Sequence, residues 1–230
     1  MSGNGAAGER TGASNEWRGE REAVLRAAQA MHRDGLVVET SGNVSARVSN
    51  GARDLIAITA SGVPYPTMTL DDIVVVEDDG EPMLGDALPS TELLCHAAVY
   101  RARPDVSAVM HTHSTYASAL GVAGVPIPPL IDEIVVMLGD SVQVADYAFP
   151  STEELGESAA AALGERNAVL LRNHGLLGVG RSVEDALRAC RLAEHLAKVF
   201  VLARMVGGAG ELPRDAVAAE VELFRMRQTT

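Results

Sequence analysis

His111 and His113 stand two residues apart in Val109-Met110-His111-Thr112-His113. On an extended strand that spacing sends both imidazoles out of one face. A divalent metal can accept the pair, and so can the solvent face of an edge strand. His174, in Arg172-Asn173-His174-Gly175-Leu176, falls at a turn between two apolar runs. It is either a turn histidine or, with Gly175 permitting close approach, the third nitrogen of a metal site with an open position. Glu92 closes the run Leu88-Pro89-Ser90-Thr91-Glu92. Ser90 is a good helix cap and a first-turn carboxylate favours the helix dipole, so helix initiation alone accounts for the run. The chemical use is that the same helix start binds an anion through Ser90, Thr91 and free amides, with Glu92 facing the bound group as a ligand or a base.

Thr40-Ser41-Gly42-Asn43-Val44-Ser45 and Thr59-Ala60-Ser61-Gly62 are either phosphate cradles or tight turns, and neither matches a Walker or dinucleotide fingerprint. His32 lies near the end of a first helix. His96, four residues after Glu92, is read as packing or support behind the site, and His195 as core or surface. Cys95 and Cys190 read as buried helix thiols, and Lys198 as the ion-pair partner of Glu194. Tyr65, Tyr100, Tyr116 and Tyr147 read as core or rim, Tyr116 being nearest in sequence to the histidine pair. Lys198 is the only lysine among 19 basic residues, so a Schiff-base mechanism would have to use it.

These residues need a scaffold, and 230 residues suffice for one domain with a normal core. The net charge of −12 argues against a phosphate-backbone binder. Two cysteines and no leader-like apolar run point to a reducing cytoplasm. Apolar periodicity predicts helices over 16–34, from Ser90 to about Arg103, Glu153–Leu163 after a Ser151 or Thr152 cap, and Val183 to about Met205 after Ser182. Strands are predicted at Val44–Val48, Leu55–Thr59, Ile73–Val76, Val106–His113, Ala168–Arg172 and Leu176–Val179. Gly121–Pro129 reads as a loop, Val135–Met137 and Val142–Val144 as short strands or a short helix, and Pro213 starts a short terminal helix. The expected organisation is a disordered tail at 1–15, one α/β domain at 16–205 and a linker with a short helix at 206–230.

Taken in order, Ser41-Gly42-Asn43-Val44-Ser45, Ile58-Thr59-Ala60-Ser61-Gly62, Pro89-Ser90-Thr91-Glu92, His111-Thr112-His113 and Asn173-His174-Gly175 resemble the class II aldolase/adducin family, over about Trp17 to Leu202. The likeness is to its fuculose-phosphate aldolase branch. The resemblance implies an α/β/α-layered domain around a mixed, mainly antiparallel sheet. It also implies Zn2+ on His111, His113, His174 and Glu92, with Glu92 as acid/base in turnover, and a phosphate pocket from Asn43, Ser61, Gly62, Ser90 and Thr91. A homotetramer with active sites at subunit interfaces follows in the same way, with a small phosphorylated sugar as partner and neither nucleic acid nor membrane.

The reaction implied is reversible cleavage of a deoxyketose 1-phosphate, such as L-fuculose 1-phosphate, to dihydroxyacetone phosphate and a small aldehyde such as lactaldehyde. A Lewis-acidic metal suits this chain better than a Schiff base, given its single lysine. One departure concerns the aldehyde half. Bacterial members of that branch carry a tyrosine before the residue matching Gly139, where this chain reads Ile131-Asp132-Glu133-Ile134. Glu133, Asp132 or Tyr116 is then the candidate second acid/base. 5-Deoxyribulose 1-phosphate is an alternative substrate. Ribulose-5-phosphate 4-epimerase, methylthioribulose-1-phosphate dehydratase and a non-enzymatic adducin-like binding protein are the alternative functions.

Overall fold

The computed structural model describes residues 16–49 and 54–229. The tail expected at 1–15 lies outside them. Eight strands form one sheet in the order β4-β3-β2-β1-β5-β8-β7-β6. They are β1 (Asn43–Ser49), β2 (Asp54–Thr59), β3 (Ile73–Glu77), β4 (Pro82–Leu84), β5 (Ala108–Thr112), β6 (Gln143–Ala145), β7 (Ala168–Leu171) and β8 (Leu176–Gly180). Every neighbouring pair is antiparallel except β6 and β7.

Alternation along the strands divides the apolar side chains between two layers. Leu55 and Ala57 of β2 and Ile73 and Val75 of β3 enter a core with α1 (Arg18–Arg33) and α6 (Val183–Met205). Ile56, Ile58, Val74 and Val76, one residue out of step, enter a core with α2 (Leu93–Ala102) and α5 (Glu153–Leu163). A sheet buried on both faces reads as continuous apolar runs, as β2 and β3 do. The architecture is therefore a single α/β domain, helices on both faces of a mixed sheet.

Two helices differ from the sequence expectation, and two runs it left open are resolved. α3 (Thr115–Ala123) occupies part of the stretch expected to be loop. Gly121 is inside it because the helix packs close on β7: a Cβ there would lie 2.8 Å from the Leu171 carbonyl oxygen. The glycine is a contact point, not a breaker, and the turn comes at Gly124, whose φ of 67° closes the helix. α4 (Asp132–Leu138) resolves the first ambiguous run as helix, and β6 the second as strand. After Pro213, α7 (Arg214–Thr229) runs for 16 residues, longer than the short helix expected, and packs on α4. No described helix is long and apolar enough to cross a membrane.

Candidate metal and active site

The strand register brings the distant motifs together. β1 begins where β5 ends, Asn43 lying opposite His111. β8 begins opposite the same end, Leu176 against Thr112. Antiparallel pairing also returns β2 to that end, so Ser61-Gly62 follows it there. β5 is an interior strand, buried throughout, which removes the edge-strand reading of the histidine pair. His111 has the parity of Val109 and faces the α2 layer. His113 follows just past the strand end, its backbone N–H donating to Leu36 O at 3.0 Å.

His174 arrives on the β7–β8 hairpin. Asn173 takes a left-handed φ of 54°, and the turn is closed by Leu171 N–H to Gly175 O at 2.7 Å. Gly175 lets the tip lie on β5, since a Cβ there would be 2.3 Å from the Thr112 carbonyl oxygen. The three imidazole centroids are then 4.7, 4.7 and 5.0 Å apart. His111 Nε2 is 2.8 Å from His113 Nε2.

Glu92 is the N-cap residue of α2, where Ser90 was expected, and Ser90 Oγ instead accepts from the Glu92 N–H at 3.3 Å. The Glu92 carboxylate, 8% exposed, points at the cluster: Oε2 is 3.3 Å from His111 Nε2 and Oε1 is 3.2 Å from His174 Nε2. Asn43 Nδ2 donates to Oε2 at 2.7 Å. Asn43 Oδ1 is buried with no partner, a free acceptor beside the cluster.

The protonation states suit a cation. Burial favours the neutral carboxyl form of Glu92, but His111, His174, the Asn43 amide and His96 outweigh it and hold the pKa below the usual carboxylate range. Burial pushes His111 down to about 3, against the pull of Glu92, and lowers His113 as well. His111 Nδ1 lies 3.0 Å from Leu176 O, which can only accept, so Nδ1 carries the hydrogen and Nε2 presents a lone pair to the cluster. Nitrogen atoms of His111, His113 and His174 all fall within 4.8 Å of one another. Three imidazoles and a carboxylate, fixed by three separate elements, fit a divalent metal.

The anion-binding candidates adjoin this cluster. Ser61 N–H donates to Leu88 O at 2.9 Å and Ser90 N–H to Thr59 O at 3.0 Å, tying the two loops side by side. Ser61, Gly62 and Thr91 are exposed there, whereas Ser90 and Asn43 are buried. Asp132 and Glu133 are exposed on α4, Asp132 beside Glu220 of α7. Tyr116 lies on α3, its ring 5.7 Å from Lys198 Nζ. The expected Glu194–Lys198 ion pair is replaced by a cap: Glu194 accepts from Tyr116 N–H and Ala117 N–H at 3.0 and 2.8 Å, satisfying the start of α3. Cys95 and Cys190 are buried helix thiols as expected, both pushed up to about 12 by burial.

The positioning role of Tyr65 was not legible beforehand. Its hydroxyl lies 2.9 and 2.7 Å from the carbonyls of Ser41 and Gly42, anchoring the loop that leads into Asn43. The only sequence signal was its place between Pro64 and Pro66.

The family model described as Class II Aldolase and Adducin N-terminal domain matches residues 22–201. The chain belongs to this family. Among class II aldolase relatives, it is 33% identical over 196 residues to a 5-deoxy-D-ribulose 1-phosphate aldolase of Bacillus thuringiensis serovar kurstaki, covering 85% of this chain and 91% of that one. It is 37% identical over 178 residues to an L-fuculose phosphate aldolase of Escherichia coli, covering 77% and 80%. A solved L-fuculose 1-phosphate aldolase superposes with a TM-score of 0.84 at 32% identity, covering 90% of this chain and 96% of its own. These class II aldolases carry two different substrate names.

Proposed function

We propose that the protein is a zinc-dependent aldolase that reversibly cleaves a deoxyketose 1-phosphate to dihydroxyacetone phosphate and a small aldehyde. The observation that carries this reading is the convergence of Glu92 with His111, His113 and His174, beside Asn43. The relatives named for L-fuculose 1-phosphate and 5-deoxyribulose 1-phosphate support the substrate class. So intact a donor set speaks against an adducin-like binding role.

His111, His113 and His174 would hold the metal, with Glu92 as the fourth ligand at rest. A divalent cation there supplies Lewis-acid stabilisation of the negative charge that develops on the ketose oxygens. The remaining work falls to the chain. Ser61, Gly62, Ser90 and Thr91 seat the phosphate through hydroxyls and backbone N–H groups, and Asn43 orients the Glu92 carboxylate. Cleavage breaks the bond between the third and fourth carbons. The fourth-carbon hydroxyl loses its proton as the aldehyde forms, and the third carbon gains one. Glu92 is the group placed to deliver that second proton. Glu133, Asp132 or Tyr116 takes the first. Because Asp132 and Glu133 are exposed away from the cluster, either would act from a neighbouring subunit of the proposed homotetramer. Val38 and Leu88, exposed beside the Ser41 and Ser61 segments, are surfaces such a neighbour would cover.

A coupled assay for dihydroxyacetone phosphate, run on both substrates with and without chelator, tests the reading. Chelator-sensitive release is expected, and the ratio of rates identifies the preferred aldehyde half. No release from either substrate by metal-loaded protein would overturn the aldolase assignment. His111→Ala is expected to lower bound zinc by at least about tenfold, measured by elemental analysis, because removing one nitrogen leaves an incomplete donor set.

A further inference from the structure

Ser45 and His96 belong to the motif-bearing segments yet have no part in the reaction as drawn. Asn43, Ser45 and Arg47 alternate on β1 and share one face, while Glu92, His96 and Tyr100 recur at four-residue steps on α2. The two rows meet. Asn43 holds Glu92. Ser45 Oγ lies 2.7 Å from His96 Nδ1 and 2.8 Å from the Tyr100 hydroxyl. Arg47 stands 4.7 Å from the centre of the Tyr100 ring and donates to the Tyr100 carbonyl. Ser45 and His96 are 0% exposed and Tyr100 2%.

Hydrogen accounting gives this chain a direction. Either hydroxyl of the Ser45–Tyr100 pair can donate, and the direction that leaves no tyrosine hydrogen without an acceptor has Tyr100 donating to Ser45 Oγ. Ser45 then gives its own hydrogen to His96 Nδ1, which places the His96 hydrogen on Nε2. Nε2 is buried without a protein partner. Burial lowers His96 to about 4 and raises Tyr100, so both are neutral at physiological pH.

We propose that Ser45, His96 and Tyr100 are positioning residues for Glu92, a one-way hydrogen-bond chain that locks α2 in register on β1 and fixes His96 as its neutral Nε2–H tautomer one turn behind the carboxylate. The rest of this layer is the Ser90 N–H bond to Thr59 O at the helix start and apolar burial of Leu93, Ala97 and Val99 in one core with sheet side chains. Such burial is non-directional and does not by itself choose among nearby registers. A slipped helix would strand buried polar groups, at about 1–3 kcal/mol each. Together with the Ser90 N–H bond to Thr59 O, the chain therefore selects the placement in which Glu92 meets the histidines. The inference rests on the proposed role of Glu92.

Nitrogen-15 imidazole NMR of the full-length, metal-free protein reads the tautomer directly, and steady-state kinetics of the zinc-loaded enzyme read the consequence. In the wild type, His96 is expected with its hydrogen on Nε2. Ser45→Ala should mix the tautomers and lower kcat by about tenfold or more, with KM within about twofold, and Ser45→Thr should restore both readouts. A wild-type His96 protonated on Nδ1, or a Ser45→Ala enzyme with unchanged kcat, overturns the proposal. Should Ser45→Ala fail to fold, Tyr100→Phe removes the first donor and is expected to release the same tautomer. A failure of the Glu92 reading is separate: Glu92→Gln would then turn over normally, while the His96 resonance still reports on the chain.

Discussion

α6 and α2 lie on opposite faces of the same sheet and are docked by different means. α6 buries Ala186, Ala189, Cys190, Ala193, Leu196, Ala197 and Phe200, a mostly apolar stripe on a helix of 23 residues, with Cys190 Sγ donating to Met110 O of β5 at 3.6 Å. Its start is satisfied locally, Ser182 Oγ accepting from Asp185 N–H at 3.1 Å. α2 is a helix of 10 residues that mixes Leu93, Ala97 and Val99 with the buried polar groups of His96 and Tyr100. The lesson is a division of labour. Apolar area makes a helix dock, and fixed polar pairs decide where along the sheet it stops. The Glu92 carboxylate, the proposed acid/base, sits at the start of the helix that carries the hydrogen-bonded polar groups.

The contrast predicts opposite phenotypes on the two faces. The largest effect belongs to Glu92→Gln, which keeps the side chain's shape and is expected to cost about 10²–10⁴ in kcat while urea unfolding stays near wild type. A variant retaining more than about a tenth of wild-type activity would end the acid/base role. Leu196→Ala on α6 should do the reverse, losing about 2–5 kcal/mol of stability in denaturant unfolding with the kcat of the folded protein unchanged. A matching loss of kcat would mean that the α6 layer also tunes the site. Ser182→Ala should have the smallest effect, about 0.5–2 kcal/mol from the lost cap, read as a shift in unfolding midpoint with no change in turnover.

The candidate site residues stood out in the sequence because their types are rare and their spacing is informative. The histidine pair required a strand, and β5 supplies it; Asn173-His174-Gly175 required a turn, and the β7–β8 hairpin supplies it. Other readings failed for identifiable reasons. Gly121 looked like a breaker because glycine's flexibility is a local property, whereas its contact with Leu171 O is made by a strand fifty residues away in sequence. Glu194 had a suitable partner one turn on in Lys198, but the unsatisfied N–H groups of a helix distant in sequence claimed it. Asn43-Val44-Ser45-Ala46-Arg47-Val48 alternates as a half-exposed strand would, yet its polar face lies under α2.

By itself, then, the sequence determined which side chains are candidates to bind a metal and an anion, which segments are helix and strand in most of the chain, and that a single lysine makes imine chemistry a poor route. These follow from local periodicity and from the chemistry of individual residue types. Only the tertiary structure decided that Glu92 faces His111 and His174, that Asn43 rather than solvent satisfies it, and that Ser45 joins His96 and Tyr100. Those are relations between positions on separate elements, 19 residues apart for Glu92 and His111 and 82 for Glu92 and His174, created by strand register and by the exclusion of water from the layer between β1 and α2.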